Sequence, residues 1–203
     1  AVDVTIPVKV KDDATLTRPY FSRPDLEQPY YDISNEKYLN RPLTPYPLEA
    51  WSEFIYNGAP VRFGQVVQTT RRTTGYGPVF EPLVVGPAVA ITISPRAGIV
   101  PLGSKSFAVT TVVRSNVKGP AKGIVRLALP AGWRSEPASS EFSTAADGDQ
   151  VSVAFMVTPS QLAAKEYQIT AVAEMVGKQF KEGYEVTGYP GLRPYFLYRD
   201  RKS

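Results

Sequence analysis

Apolar and polar residues alternate one by one over much of this chain. That period of two marks extended strands with one face toward a core and the other toward water. Val2, Val4, Ile6, Val8 and Val10 alternate with Asp3, Thr5, Pro7, Lys9 and Lys11. Pro7 makes this an expected edge strand, since it has no N–H to give to a ladder. The second half repeats the pattern at residues 89–93, 107–113, 125–129, 151–157, 167–175 and 180–186. Turn signals separate these runs: Ser115-Asn116, Pro130-Ala131-Gly132, Asp147-Gly148-Asp149 and Gly177. Short strands at near-regular spacing predict an antiparallel sandwich of about 100 residues. No stretch sustains helical periodicity, although residues 160–165 could form one turn capped by Ser160 or Thr158.

The first half is patterned differently. Between residues 15 and 60 alternation fades, and Tyr20, Phe21, Tyr30, Tyr31, Tyr38, Tyr46, Trp51, Phe54 and Tyr56 are interspersed with six prolines. Disordered linkers are poor in aromatics, so this segment reads as an ordered, proline-stiffened excursion packed on a sheet. Strands return at residues 61–70 and 79–85. The fold class is therefore all-β, with two antiparallel β-sandwich (Ig-like) modules. The first, residues 1–86, carries the long Pro/aromatic-rich excursion; the second spans 87–188; a docking tail occupies 189–203.

The 203 residues include no histidine and no cysteine. The first absence removes Ser-His-Asp triads and nearly all catalytic zinc arrangements; the second removes disulfides, zinc ribbons and thiol nucleophiles. Basic residues number 9 against 10 acidic in 1–86 and 14 against 9 in 87–203, with Arg193, Arg199, Arg201 and Lys202 near the end. No basic stripe with interleaved aromatics follows, so no nucleic-acid partner is expected. No apolar run reaches the roughly 20 residues of a membrane span. Ala1 in place of Met reads as a processed start or an excised fragment.

Of the acidic groups, Asp12-Asp13 reads as a solvated turn after the edge strand, and nothing selects Glu49/Glu53 as a catalytic pair. Asp147-Gly148-Asp149 reads as a turn in which glycine supplies a positive φ, with calcium as the alternative that would need six to eight oxygen ligands. Neither a phosphate-cradling glycine loop nor a Gly-x-Ser-x-Gly elbow is present. No catalytic residue, metal ligand or cofactor-binding residue is assigned, and no cofactor is expected. Aromatics are the remaining binding candidates, because the apolar face of a pyranose matches a ring. Trp51, Tyr46 and Tyr76 could form such a carbohydrate platform, or could anchor the excursion; Trp133 reads as a corner anchor. Tyr189, Tyr195, Phe196 and Tyr198 give the tail more apolar surface than a free terminus has reason to carry, which predicts inter-domain docking.

Val89-x-Ile-x-Ile-x-Pro95, Gly103, the runs at 107–116 and 123–129, Pro130-Ala131-Gly132-Trp133 and Tyr167-x-Ile-Thr-Ala resemble the alpha-galactosidase-associated NEW-type sandwich module. That resemblance covers residues 87 to about 188 and implies an appendage of secreted carbohydrate-active enzymes. The whole chain, including Thr17-Arg18-Pro19-Tyr20-Phe21 and residues 188–195, is similar to the region after the catalytic domain in bacterial PIG-L-type (LmbE-like) deacetylases. Their His-Pro-Asp-Asp zinc motif has no counterpart here, since Pro24-Asp25 is followed by Leu26. The resemblance implies a non-catalytic accessory region of a secreted or periplasmic N-acetylglucosaminyl deacetylase-like enzyme. Its partner would be a catalytic domain N-terminal to Ala1, with glycan binding through exposed aromatics as the alternative.

Overall fold

A computed structural model describes residues 3–199, apart from 12, 24, 26, 42–44, 76 and 188–194. The chain is all-β and antiparallel, as expected, with a single 3-10 turn at Glu36–Tyr38 among the described residues. It divides into two compact units, Ala1–Gly86 and Pro87–Ser203.

In the first unit the described strands pair two at a time. β1 (Phe21–Ser22) pairs with β2 (Asp32–Ile33) inside the aromatic excursion. The excursion is ordered by Tyr20, which is buried and meets Phe21 and Tyr38 edge-on at 5.3 and 5.7 Å. The Tyr20 hydroxyl donates to the Arg41 carbonyl, and the Tyr20 carbonyl accepts from both the N–H and the hydroxyl of Ser34. β3 (Glu49–Tyr56) and β4 (Ala59–Val66) form a hairpin turned by Asn57-Gly58. Both turn residues have positive φ, 49° and 80°, the conformation of a type I′ turn that Asn-Gly favours. β5 (Gln68–Thr73) and β6 (Gly77–Pro82) form the next ribbon. Val67 joins the two ribbons: its N–H donates to Leu48 and its carbonyl accepts from Leu83. Thr17 ties the preceding chain to the same unit through paired hydrogen bonds with Val85.

Where alternation predicts an edge strand at residues 2–10, the described residues 3–10 form no ladder, and Val4, Ile6, Val8 and Val10 are exposed. The pattern specifies a face suited to burial; a strand also needs a neighbour, and the two-stranded ribbons provide none here.

The second unit is a sandwich. Its strands are β7 (Val89–Ser94), β8 (Phe107–Ser115), β9 (Ala121–Ala128), β10 (Arg134–Glu136), β11 (Ser139–Thr144), β12 (Gln150–Thr158), β13 (Thr170–Met175) and β14 (Lys178–Phe180). One sheet has the order β10-β12-β8-β7 and the other β11-β9-β13-β14. Inward residues of both sheets close one core around Val89, Val113, Val125, Phe142, Phe155 and Ala173. Gly123 on β9 faces Phe142 on β11, where the ring covers the missing side chain. The run expected at 180–186 is divided, with Phe180 ending β14 and β15 (Gly183–Thr187) pairing with β16 (Tyr195–Arg199). Residues 161–169 form an irregular loop rather than a helical turn.

Candidate functional site

Trp51 stands on β3 directly opposite Gly64 on β4. The ring lies on that glycine so closely that a Cβ there would meet it at 2.7 Å. Arg62, one pleat away on the same face, places its guanidinium carbon 4.4 Å from the ring centroid. With this cation–π contact in place Trp51 is still 55% exposed. A pyranose stacking on the ring face that Arg62 covers must first displace it. The opposite face of the hairpin holds Phe54 and Phe63 edge-on at 6.0 Å, and Ile55 and Tyr56, next to the turn, are largely exposed. Tyr46 is half-buried in irregular chain ahead of β3, and no ring contact joins it to Trp51 among the described residues. Tyr76 lies outside the described residues; of the two candidate rings that are described, Trp51 is the exposed one.

Of the tail residues, Tyr195, Phe196 and Tyr198 lie on β16, whose backbone pairs with β15; Tyr189 lies outside the described residues. Among the carboxylates, Asp149 Oδ2 accepts from the N–H groups of Ala145 and Ala146, both at 2.9 Å. Gly148 has φ +84°, so the loop has the hydrogen bonding of a turn. No group of three or more His, Cys, Asp or Glu placed to hold a metal ion occurs among the described residues.

A concave site of a different kind lies at one end of the sandwich. The chain leaves β9 through Leu129-Pro130-Ala131-Gly132, a turn closed by the Trp133 N–H donating to the Pro130 carbonyl. Gly132 holds φ +80° against Ser160, whose Oγ would lie 2.8 Å from any Cβ at that position. Trp133 is buried between Phe107, 5.9 Å away, and Tyr167, 4.8 Å away. The corner is thus an anchor, with Phe107 edge-on to the indole and Tyr167 tilted against it. Across it runs the 160–168 loop, pinned by the Tyr167 hydroxyl, which accepts from the Ala163 N–H and donates to the Gln161 carbonyl. Between corner and loop is a cleft of 760 Å³ lined by apolar and polar groups in equal measure. The sequence reading missed it, because Trp133 and Tyr167 are 34 positions apart and were assigned to separate elements. The signal present was a loop of Gln161, Lys165 and Glu166 ahead of Tyr167, with Gln168 after it, too polar to be the buried end of a strand.

Replacing Tyr167 by Phe keeps the ring stack and removes both hydroxyl contacts. The expected loss is about 1 kcal/mol of local stability. Amide exchange at Ala163 should accelerate while the β12 amides stay protected; unchanged exchange would show that the loop is held by other means.

No curated protein matches the chain. Residues 103–175 match the family described as the NPCBM-associated, NEW3 domain of alpha-galactosidase. The matched span begins just before β8 and ends with β13, taking in both inner strand pairs, the Trp133 corner and the 160–168 loop. Through these residues the second unit is similar to a NEW3 domain, the module type that the residue patterns at 87–188 resemble.

Proposed function

We propose that this chain is a non-catalytic accessory region of a larger carbohydrate-active enzyme and that it positions or buttresses the catalytic domain. The observation that carries the reading is the surface of the first unit. There Val4, Ile6, Val8, Val10, Phe54 and Ile55 are exposed, while Tyr20 is the single large apolar residue buried among the described ones. Surface of that kind marks an interaction site, because burying each such side chain stabilises a complex by roughly 1.5–3 kcal/mol. The NEW3 match in the second unit supports the carbohydrate connection, and the missing histidine and cysteine support a supporting rather than a chemical role. The parent we favour is a secreted or periplasmic PIG-L-type deacetylase, on the resemblance of residues 17–21 and 188–195. Tyr195, Phe196 and Tyr198 of the tail are proposed to take part in the docking.

The test compares the intact parent polypeptide with one lacking these 203 residues. Deletion should lower the melting temperature of the catalytic domain by about 5 °C or more. It should also reduce zinc-dependent deacetylation of N-acetylglucosamine oligosaccharides. A catalytic domain equally stable and equally active without this region overturns the buttressing role. A parent without deacetylase activity overturns the choice of enzyme alone.

A further inference from the structure

We propose that the cleft between the Trp133 corner and the 160–168 loop binds a neutral oligosaccharide. This goes beyond the buttressing role and places sugar binding on the second unit rather than on the Trp51 hairpin. The volume of 760 Å³ falls in the range of small-molecule sites, roughly 300–1,000 Å³. Its chemistry is that of a saccharide. Leu129, Pro130 and the half-buried Tyr167 ring offer apolar surface for C–H faces, with Trp133 beneath them. Around them stand Gln161, Glu166 and Gln168, exposed side chains that together offer donors and acceptors to vicinal hydroxyls.

Two features narrow the ligand. Lys165 and Glu166 bring opposite charges to the same rim, and the Lys165 ammonium sits 5.2 Å from the centroid of the Tyr167 ring. The lining therefore carries no net charge that would select an anionic polymer. Trp133 meets Phe107 edge-on and Tyr167 at a tilt, and Lys165 lies over the Tyr167 ring, so the sugar meets partly covered rings and side-chain amides. Recognition then rests on hydrogen bonds to several hydroxyls, which favours a stretch of chain over a single residue. The walls are built in advance: the Pro130 turn, the Gly132–Ser160 contact and the Tyr167 hydroxyl fix both sides, so little ordering is left for binding to impose.

The chain has two tryptophans, so Trp51→Phe leaves Trp133 as the sole indole and an intrinsic probe of the cleft. Titration of this full-length variant with neutral galactose-, glucose- and N-acetylglucosamine-based oligosaccharides should give a saturable change in emission. Adding Glu166→Ala and Gln168→Ala should weaken binding about tenfold or more. Both residues are exposed loop positions, and circular dichroism verifies that the fold is kept. No saturable change with any neutral oligosaccharide overturns the proposal, as does equal binding by the cleft variant. Preferential binding of uronate oligosaccharides or of peptides overturns it as well. Because the titration uses this chain alone, its failure leaves the buttressing role to its own test in the parent enzyme.

Discussion

Phe155→Ala should cost the second unit about 3–5 kcal/mol, roughly a fifth or more of the stability of an ordinary domain. Phe155 is 1% exposed and is the largest fully buried side chain among the described residues. It sits on β12, opposite Val109 of β8, in an interior strand of its sheet. The surrounding residues come from both layers, including Val125 and Ala173 of the facing sheet. Truncation therefore leaves a cavity that neither sheet can close without breaking ladder hydrogen bonds. Urea unfolding followed by Trp133 emission in the Trp51→Phe background measures the change. A loss below about 1 kcal/mol would mean that the two layers collapse onto the gap.

Gly123→Ala is the smallest possible addition and should still cost about 3 kcal/mol. Exchanging glycine for alanine in a regular strand ordinarily helps, by about 0.4–1 kcal/mol, because the unfolded chain loses freedom. Here the new carbon would clash with the Glu174 carbonyl oxygen and lie 2.7 Å from the Phe142 ring. The ring can rotate away; the oxygen belongs to β13 and can move only if the β9–β13 ladder shifts. Gly86 is the control, since a Cβ there meets nothing within 4 Å, and Gly86→Ala should be neutral or slightly stabilising. Equal melting temperatures for the two variants would show that β13 slides freely and that the close approach is not specified.

The contrast between these two glycines shows what a sequence can disclose. Alternation at 107–113, 125–129 and 151–157 announced β8, β9 and β12, because a strand buried on one face writes its period directly into its side chains. The same alternation at residues 2–10 announced a strand that the described residues do not form. Pattern reports what a segment could bury, while pairing depends on a neighbour supplied from elsewhere in the chain. β3 and the Asn57-Gly58 turn lie where the sequence reads as a non-alternating excursion, and the stacking of Trp51 on Gly64 depends on a cross-strand register that only the hairpin defines. The cleft was illegible for the same reason. Trp133, Ser160 and Tyr167 meet through the stacking of two loops, and no local signal joins them. The anchoring role of Trp133 was readable from its corner position, but the hollow beside it was not.

Val67 gives the first unit a mechanical character. Residues 59–73 form one uninterrupted backbone whose first part is paired with β3 and whose last part is paired with β6, and Val67 is bonded to the chain leading into β3 and the chain leaving β6. That segment acts as a crossbeam shared by both ribbons. A tug on the Asn57-Gly58 tip runs along covalent bonds into the second ribbon instead of being dissipated between loosely packed side chains. A part of a molecule with little interior of its own can in this way still transmit force from whatever grips one end of it to the other.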